Sequence, residues 1–202
     1  MSSKVDIWNM ALGHIAQSSA ISSDTEKSTE RYVCERFWEA SYRSTLRDYD
    51  LPFSRKVASL QLVSTNPTTE WAYSYKYPND CLRFRRIVSG QVQDSLKSRI
   101  PFEITQSDSG GQLFIYTNEA TPKGRYTVDS DLISLWPEDF QMAVSLRLAA
   151  YIAPSITKGD PFGLGKRAFD FYVQHIDMAA SNAQSEEHQG DGPLNTFTES
   201  RS

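Results

Sequence analysis

Apolar residues recur at steps of three and four from Lys4 to Ala16, where Val5, Trp8, Leu12 and Ile15 fall on one stripe of a helix. A second helix is expected from a capping box at Ser23 and Glu26 to about Asp48, with Val33, Phe37, Trp38, Ala40 and Leu46 on its buried side. Pro52 closes this part. Between 54 and 134 the period changes. Apart from a short helix expected around Lys56 to Val63, strand-like runs alternate with turn clusters: WAYSYKY, LRFRRIV, FEIT, QLFIYT and RYTVD. Ser109-Gly110-Gly111 reads as a hairpin turn between FEITQSD and QLFIYT, because glycine takes positive φ without a steric penalty.

Helical spacing returns in LWPEDFQMAVSLRLAAYIA. Pro137 suits the first helical position, and Glu138 and Asp139 complement the positive end of the helix dipole. Phe140, Ala143, Val144, Arg147 or Leu148, and Tyr151 then recur at helical spacing. A last helix is expected from Asp160-Pro161 through Leu164, Ala168, Phe171, Tyr172, Ile176, Ala179 and Ala183. The predicted fold class is α+β: about four helices, a β-rich insertion between the second and third, and an extended C-terminal tail. The corresponding segments are 1–53, 54–134, 135–187 and 188–202.

Within the insertion, WAYSYKYPND stands out. Alternation puts Trp71, Tyr73, Tyr75 and Tyr77 on one face of a strand and Ala72, Ser74 and Lys76 on the other, and Pro78-Asn79-Asp80 turns the chain into CLRFRRIV. An aromatic face of this kind serves as a carbohydrate or nucleobase platform, a sheet core or a protein interface. Its place between a helical pair and a hairpin favours the opening strand of the insertion, packed inward or on a neighbouring subunit.

Size permits one domain, or a domain with a sizeable insertion, for 202 residues. A net charge of -4 argues against a general nucleic-acid binder, so any DNA contact is local. The N-terminus lacks the apolar core of a secretory signal, and no apolar run is long enough to span a membrane. Cys34 and Cys81 suit a reducing compartment and give no disulfide framework. Beyond about Gln184 the tail holds only Leu194 and Phe197 as large apolar residues, too few to offset the entropy of ordering it. It is expected to order only against a partner.

No residues are nominated for catalysis, a cofactor or a metal. GDPFGLGKR resembles a phosphate loop but has Asp160 where the first glycine belongs, and Arg167 where Ser or Thr would hold magnesium. His14, His175 and His188 are scattered, and His175 reads as a structural histidine on the last helix. RFRR is the one concentrated basic patch. On a strand, Arg83 and Arg85 share one face and Phe84 and Arg86 the other, which suits ion pairing with an acidic surface, including an identical subunit, better than DNA phosphates.

Taken in order, IWNMALGHIAQSSAISSDTEKSTE, LRDYDLPFSRKVASL, WAYSYKYPNDCLR, LWPEDFQMAVSLRLAAYIA and a last helix with a polar tail ending near Arg201 resemble the head-to-tail adaptor family of short-tailed bacteriophages, also called tail tubular protein A. The chain departs from that pattern at Asp50-Leu51-Pro52-Phe53-Ser54, where family members carry Trp-Pro-Phe-Ala or a close variant. The resemblance implies a helical bundle with a β-rich insertion and a non-enzymatic homo-oligomeric ring, typically a dodecamer, in the virion neck. Such a ring docks beneath the portal protein, extends the channel for passing genomic DNA, and meets a tail nozzle or tube protein below. Leu194, Phe197 and Arg201 are then the portal-binding tail, and Arg83, Arg85, Arg86, Trp71, Tyr73 and Tyr75 are candidates for subunit or channel contacts. The alternatives are a peptidoglycan hydrolase, or an adaptor with secondary lytic activity, and a polysaccharide-binding module using the aromatic ladder.

Overall fold

The computed structural model describes residues 3–90, 98–106 and 110–186. Within them the chain is mixed α/β, with four α-helices and two antiparallel sheets. In chain order these are α1 (Lys4–His14), α2 (Thr29–Asp48), β1 (Arg55–Ser59), β2 (Leu62–Thr65), β3 (Tyr73–Lys76), β4 (Cys81–Ile87), β5 (Glu103–Gln106), β6 (Leu113–Thr117), β7 (Lys123–Val128), α3 (Glu138–Ile156) and α4 (Leu164–Glu186). One sheet has the order β1-β7-β4 and the other β2-β3-β6-β5. The chain divides into two compact units. Met1–Lys56, Asp80–Arg83 and Thr127–Gln184 belong to the first, Val57–Asn79 and Phe84–Tyr126 to the second.

The first unit is built on α3, which packs on both α1 and α2. Phe140, Val144, Leu148 and Ile152 of α3 are fully buried, as are Ile7, Trp8 and Ala11 of α1. Aromatic rings fill the space between helices. Trp38 stacks on Trp136 at 5.9 Å and meets Trp8 edge-on at 6.3 Å, and Phe140 meets Phe53 at 4.8 Å. Offset and edge-to-face pairs of this kind add to the burial of large apolar area.

Local chemistry explains where the helices start, and corrects several sequence expectations. Ser3 caps α1 and shares a reciprocal capping box with Asp6. The helix ends at His14, two residues short of Ala16, which takes a left-handed φ of 58°. Ser23 and Glu26 do not start α2. Glu26 instead turns back on Ser22, accepting from its backbone N–H and its hydroxyl at 2.7 Å each, and Ser28 becomes the N-cap. These bonds, with one from the Ser28 hydroxyl, lower the Glu26 carboxyl to about 2. On α2, Ala40 is exposed and Val33 and Phe37 are only partly buried, whereas Cys34, Ser41, Tyr42 and Thr45 are buried. Ser41 and Thr45 enter the core because each hydroxyl donates back to the carbonyl four residues earlier, Phe37 and Ser41 respectively.

Pro137 occupies the N-cap of α3 with an extended ψ of 155°, so the helix starts one residue later than expected. The last helix starts at Leu164, not at Pro161. Asp160 still caps it, through Oδ1 to the Leu164 N–H at 2.7 Å and Oδ2 to the Gly165 N–H at 2.8 Å. Of its expected apolar face, Ala168, Tyr172, Ile176 and Ala179 are buried and Phe171 is exposed.

No helix forms at 56–63. That segment holds β1 and β2, tied down by bonds from the Leu60 N–H to the Pro122 carbonyl and from the Lys76 N–H to the Gln61 carbonyl. WAYSYKY supplies the third strand rather than the first. The expected hairpin is present, with β5 and β6 paired antiparallel and Gly110 and Gly111 at φ of 74° and 86°.

Candidate assembly surface

β3 lies inside the four-stranded sheet, between β2 and β6. The aromatic ladder therefore serves the sheet before it serves a ligand. Tyr75 is buried, and its hydroxyl donates to the Glu119 and Ala120 carbonyls. Tyr73 is half-buried, with its ring 6.3 Å from that of Tyr75. Ser74, on the opposite face, is buried as well, so β3 is covered on both sides. Trp71 precedes the strand and leaves the alternation, its indole N–H donating to Glu103 Oε2 at 2.9 Å. Tyr77 follows the strand and accepts from the Phe84 N–H at 3.2 Å.

The basic patch on β4 is also engaged. Arg83 is exposed, and its guanidinium donates to the Arg47 carbonyl in the last turn of α2. Arg85 and Arg86 are half-buried. Phe84 and Ile87 are buried three residues apart, so burial along β4 does not follow strict alternation. Leu194, Phe197 and Arg201 lie outside the described residues.

What the second unit exposes instead is aliphatic. Val57, Leu62 and Val63 are about half-exposed, and all four residues of β2 are open to solvent. Ile104 on β5 and Leu113 on β6 are similarly exposed. A sequence signal for β2 existed: no charged residue occurs from Val57 to Thr69. A solvated edge strand normally carries one.

In the first unit, His14 Nε2 lies 3.1 Å from Ser145 Oγ. Ser145 spends its own proton on the Met142 carbonyl at 2.7 Å, so the imidazole donates from Nε2. A serine acting as nucleophile would need the reverse arrangement. A cavity of about 300 Å³ adjoins this pair, lined by Gly13, His14, Leu146, Leu164, Arg167 and Phe171. In the second unit a smaller recess of about 160 Å³ is lined by Gln61, Lys76, Tyr77, Asn79 and Tyr126. Burial pushes the Cys34 thiol up to about 12, which suppresses the thiolate and its reactivity. Among the described residues no group of three or more His, Cys, Asp or Glu side chains is placed to hold a metal ion.

Burial, reinforced by repulsion from His175, lowers the proton affinity of His14. Unfolded, this imidazole takes up its proton near pH 6.5, whereas folded it resists. Its contribution to stability is therefore complete above that pH and is lost as pH falls toward the folded value. His14→Gln, whose amide keeps a donor for Ser145, is expected to flatten the fall in urea stability between about pH 7.5 and 5.5. An unchanged slope would exclude His14 as the titrating group.

No family model matches the chain, and no curated protein matches it.

Proposed function

We propose that this chain is the subunit of a head-to-tail adaptor ring of a short-tailed bacteriophage, seated beneath the portal protein and joined below to a nozzle or tube protein. The observation that carries the reading is the order of elements. All seven described strands fall between α2 and α3, which accords with the helical bundle and β-rich insertion that the sequence resemblance implies. A surface with open aliphatic strands also suits a part whose work is to join copies and neighbours.

In this role the protein is a non-enzymatic spacer. Twelve copies at -4 each carry about -48, a field that repels phosphates and lets the genome slide rather than adhere. Portal attachment falls to the C-terminal segment with Leu194, Phe197 and Arg201.

The test is to mix the purified full chain with the portal protein of the same phage and to image the product by electron microscopy. A ring of adaptor on one face of the portal is expected. A chain that stays free at saturating portal and clears peptidoglycan in a zymogram overturns the reading. Deleting residues 190–202 is expected to weaken attachment at least about tenfold with the unfolding midpoint unchanged, and undiminished attachment would remove the tail from this role.

A further inference from the structure

The four-stranded sheet has two edges whose side chains match. Leu62 of β2 pairs with Tyr75 of β3, Tyr75 with Ile115 of β6, and Ile115 with Ile104 of β5. Directly opposed residues share a face, so these four form one apolar row across the whole sheet. The inner members are sealed, Tyr75 at 1% exposure and Ile115 at 0%. The outer members are not, with Leu62 at 49% and Ile104 at 41%.

Strand direction matches as well. The three successive pairings are antiparallel, so β2 and β5 run in opposite senses at the two edges. β2 of a second copy laid against β5 continues the alternation without a reversal. Natural edge strands carry charges or proline against such addition, and LVST has neither. The register shift between Leu62 and Ser64 adds local twist and keeps the pairing short.

We infer that β2 of one copy pairs antiparallel with β5 of the next, setting Leu62 beside Ile104 and running the apolar row on through the junction. The inference rests on the ring reading for its occupant, a second copy of this chain. The contact is head to tail: two different surfaces meet, a joined pair keeps one free β2 edge and one free β5 edge, and the series closes where the rotation per copy allows. Two half-exposed side chains and a few backbone bonds make a weak junction. It fills where copies are crowded, as on a common platform.

Cysteine pairing reads this geometry directly. The full chain carrying Cys81→Ser, to remove the partly exposed native thiol, is prepared with Leu62→Cys or with Ile104→Cys and oxidised at high concentration. A covalent dimer is expected from the mixture and not from either variant alone. Dimer from Leu62→Cys alone shows a symmetric β2–β2 contact and overturns the junction, and Ile104→Cys alone does the same for β5–β5. No dimer in the mixture also overturns it. Ile104→Lys supplies an independent reading, with self-association in sedimentation expected to fall at least about tenfold, and unaltered association counting against the junction. Portal binding separates the two proposals. Attachment without mixed dimer leaves the ring and removes this junction, whereas mixed dimer without attachment leaves the junction and removes the adaptor.

Discussion

Replacing Trp38 by alanine is expected to cost the first unit about 3–5 kcal/mol, the range for deleting a large buried aromatic ring. Trp38 is nearly sealed, and Trp8, Tyr42 and Trp136 stand around it at centroid distances of 6.3, 5.6 and 5.9 Å. These neighbours come from α1, α2 itself and the segment leading into α3, so no single side chain can swing in to fill the hole. A loss of this size is a large share of the roughly 5–15 kcal/mol that holds a typical domain folded. Urea unfolding followed by far-ultraviolet circular dichroism measures it. Trp38→Phe, which keeps an aromatic ring in the site, is expected to recover at least half of the loss. A Trp38→Ala protein within about 1 kcal/mol of the parent would show that the cluster relaxes freely.

Arg147→Met is the second large effect, because one guanidinium binds three partners. Nη1 donates to Asp48 Oδ2 and to the Tyr172 hydroxyl at 2.7 Å each, and Nε donates to the Tyr151 hydroxyl at 3.2 Å. The Tyr172 hydroxyl also donates to Asp48, so the end of α2, the middle of α3 and α4 meet in one polar knot. Burial and the Asp48 carboxylate push the Tyr172 phenol well above its ordinary value. Methionine retains the apolar stem and removes the charge. Breaking a sealed ion pair costs about 3–5 kcal/mol, but the Asp48 side chain is 38% exposed and stays hydrated, which reduces the expected loss to about 1–3 kcal/mol. In a double-mutant cycle with Tyr172→Phe, the two losses are expected to fall short of additivity by about 0.5 kcal/mol or more. Additivity within about 0.3 kcal/mol would mean that these groups act separately.

The apolar periodicity of α1, the long run of α3 and the Gly110-Gly111 hairpin were legible because each is decided within a few residues of chain. The segment 56–63 was misread as helix for the opposite reason. Val57 and Leu60 fit a helical step, and the deciding bonds come from Pro122 and Lys76, far along the chain. The start of α4 was misplaced because Asp160-Pro161 has the composition of a cap, whereas Asp160 and Gly163 both take positive φ and delay the first turn. For the assembly surface, the aromatic ladder is the conspicuous sequence pattern, yet it is interior at Tyr75. The matching row ends, Leu62 and Ile104, are brought into one row only by two intervening strands.

The placement of the seven described strands between α2 and α3 also sets the order in which the chain becomes able to fold. About 90 residues separate the end of α2 from the start of α3, and closing a loop of that length costs on the order of 4 kcal/mol in chain entropy before any contact is made. Translation at roughly 5–20 residues per second delivers the whole of α3 about 5–20 s after α2. During that interval α1 and α2 lack the helix on which both pack, while every strand of the second unit has already been synthesised. The sheet segment can thus settle first and shorten the effective loop, turning a slow long-range closure into the docking of a late helix on a waiting pair.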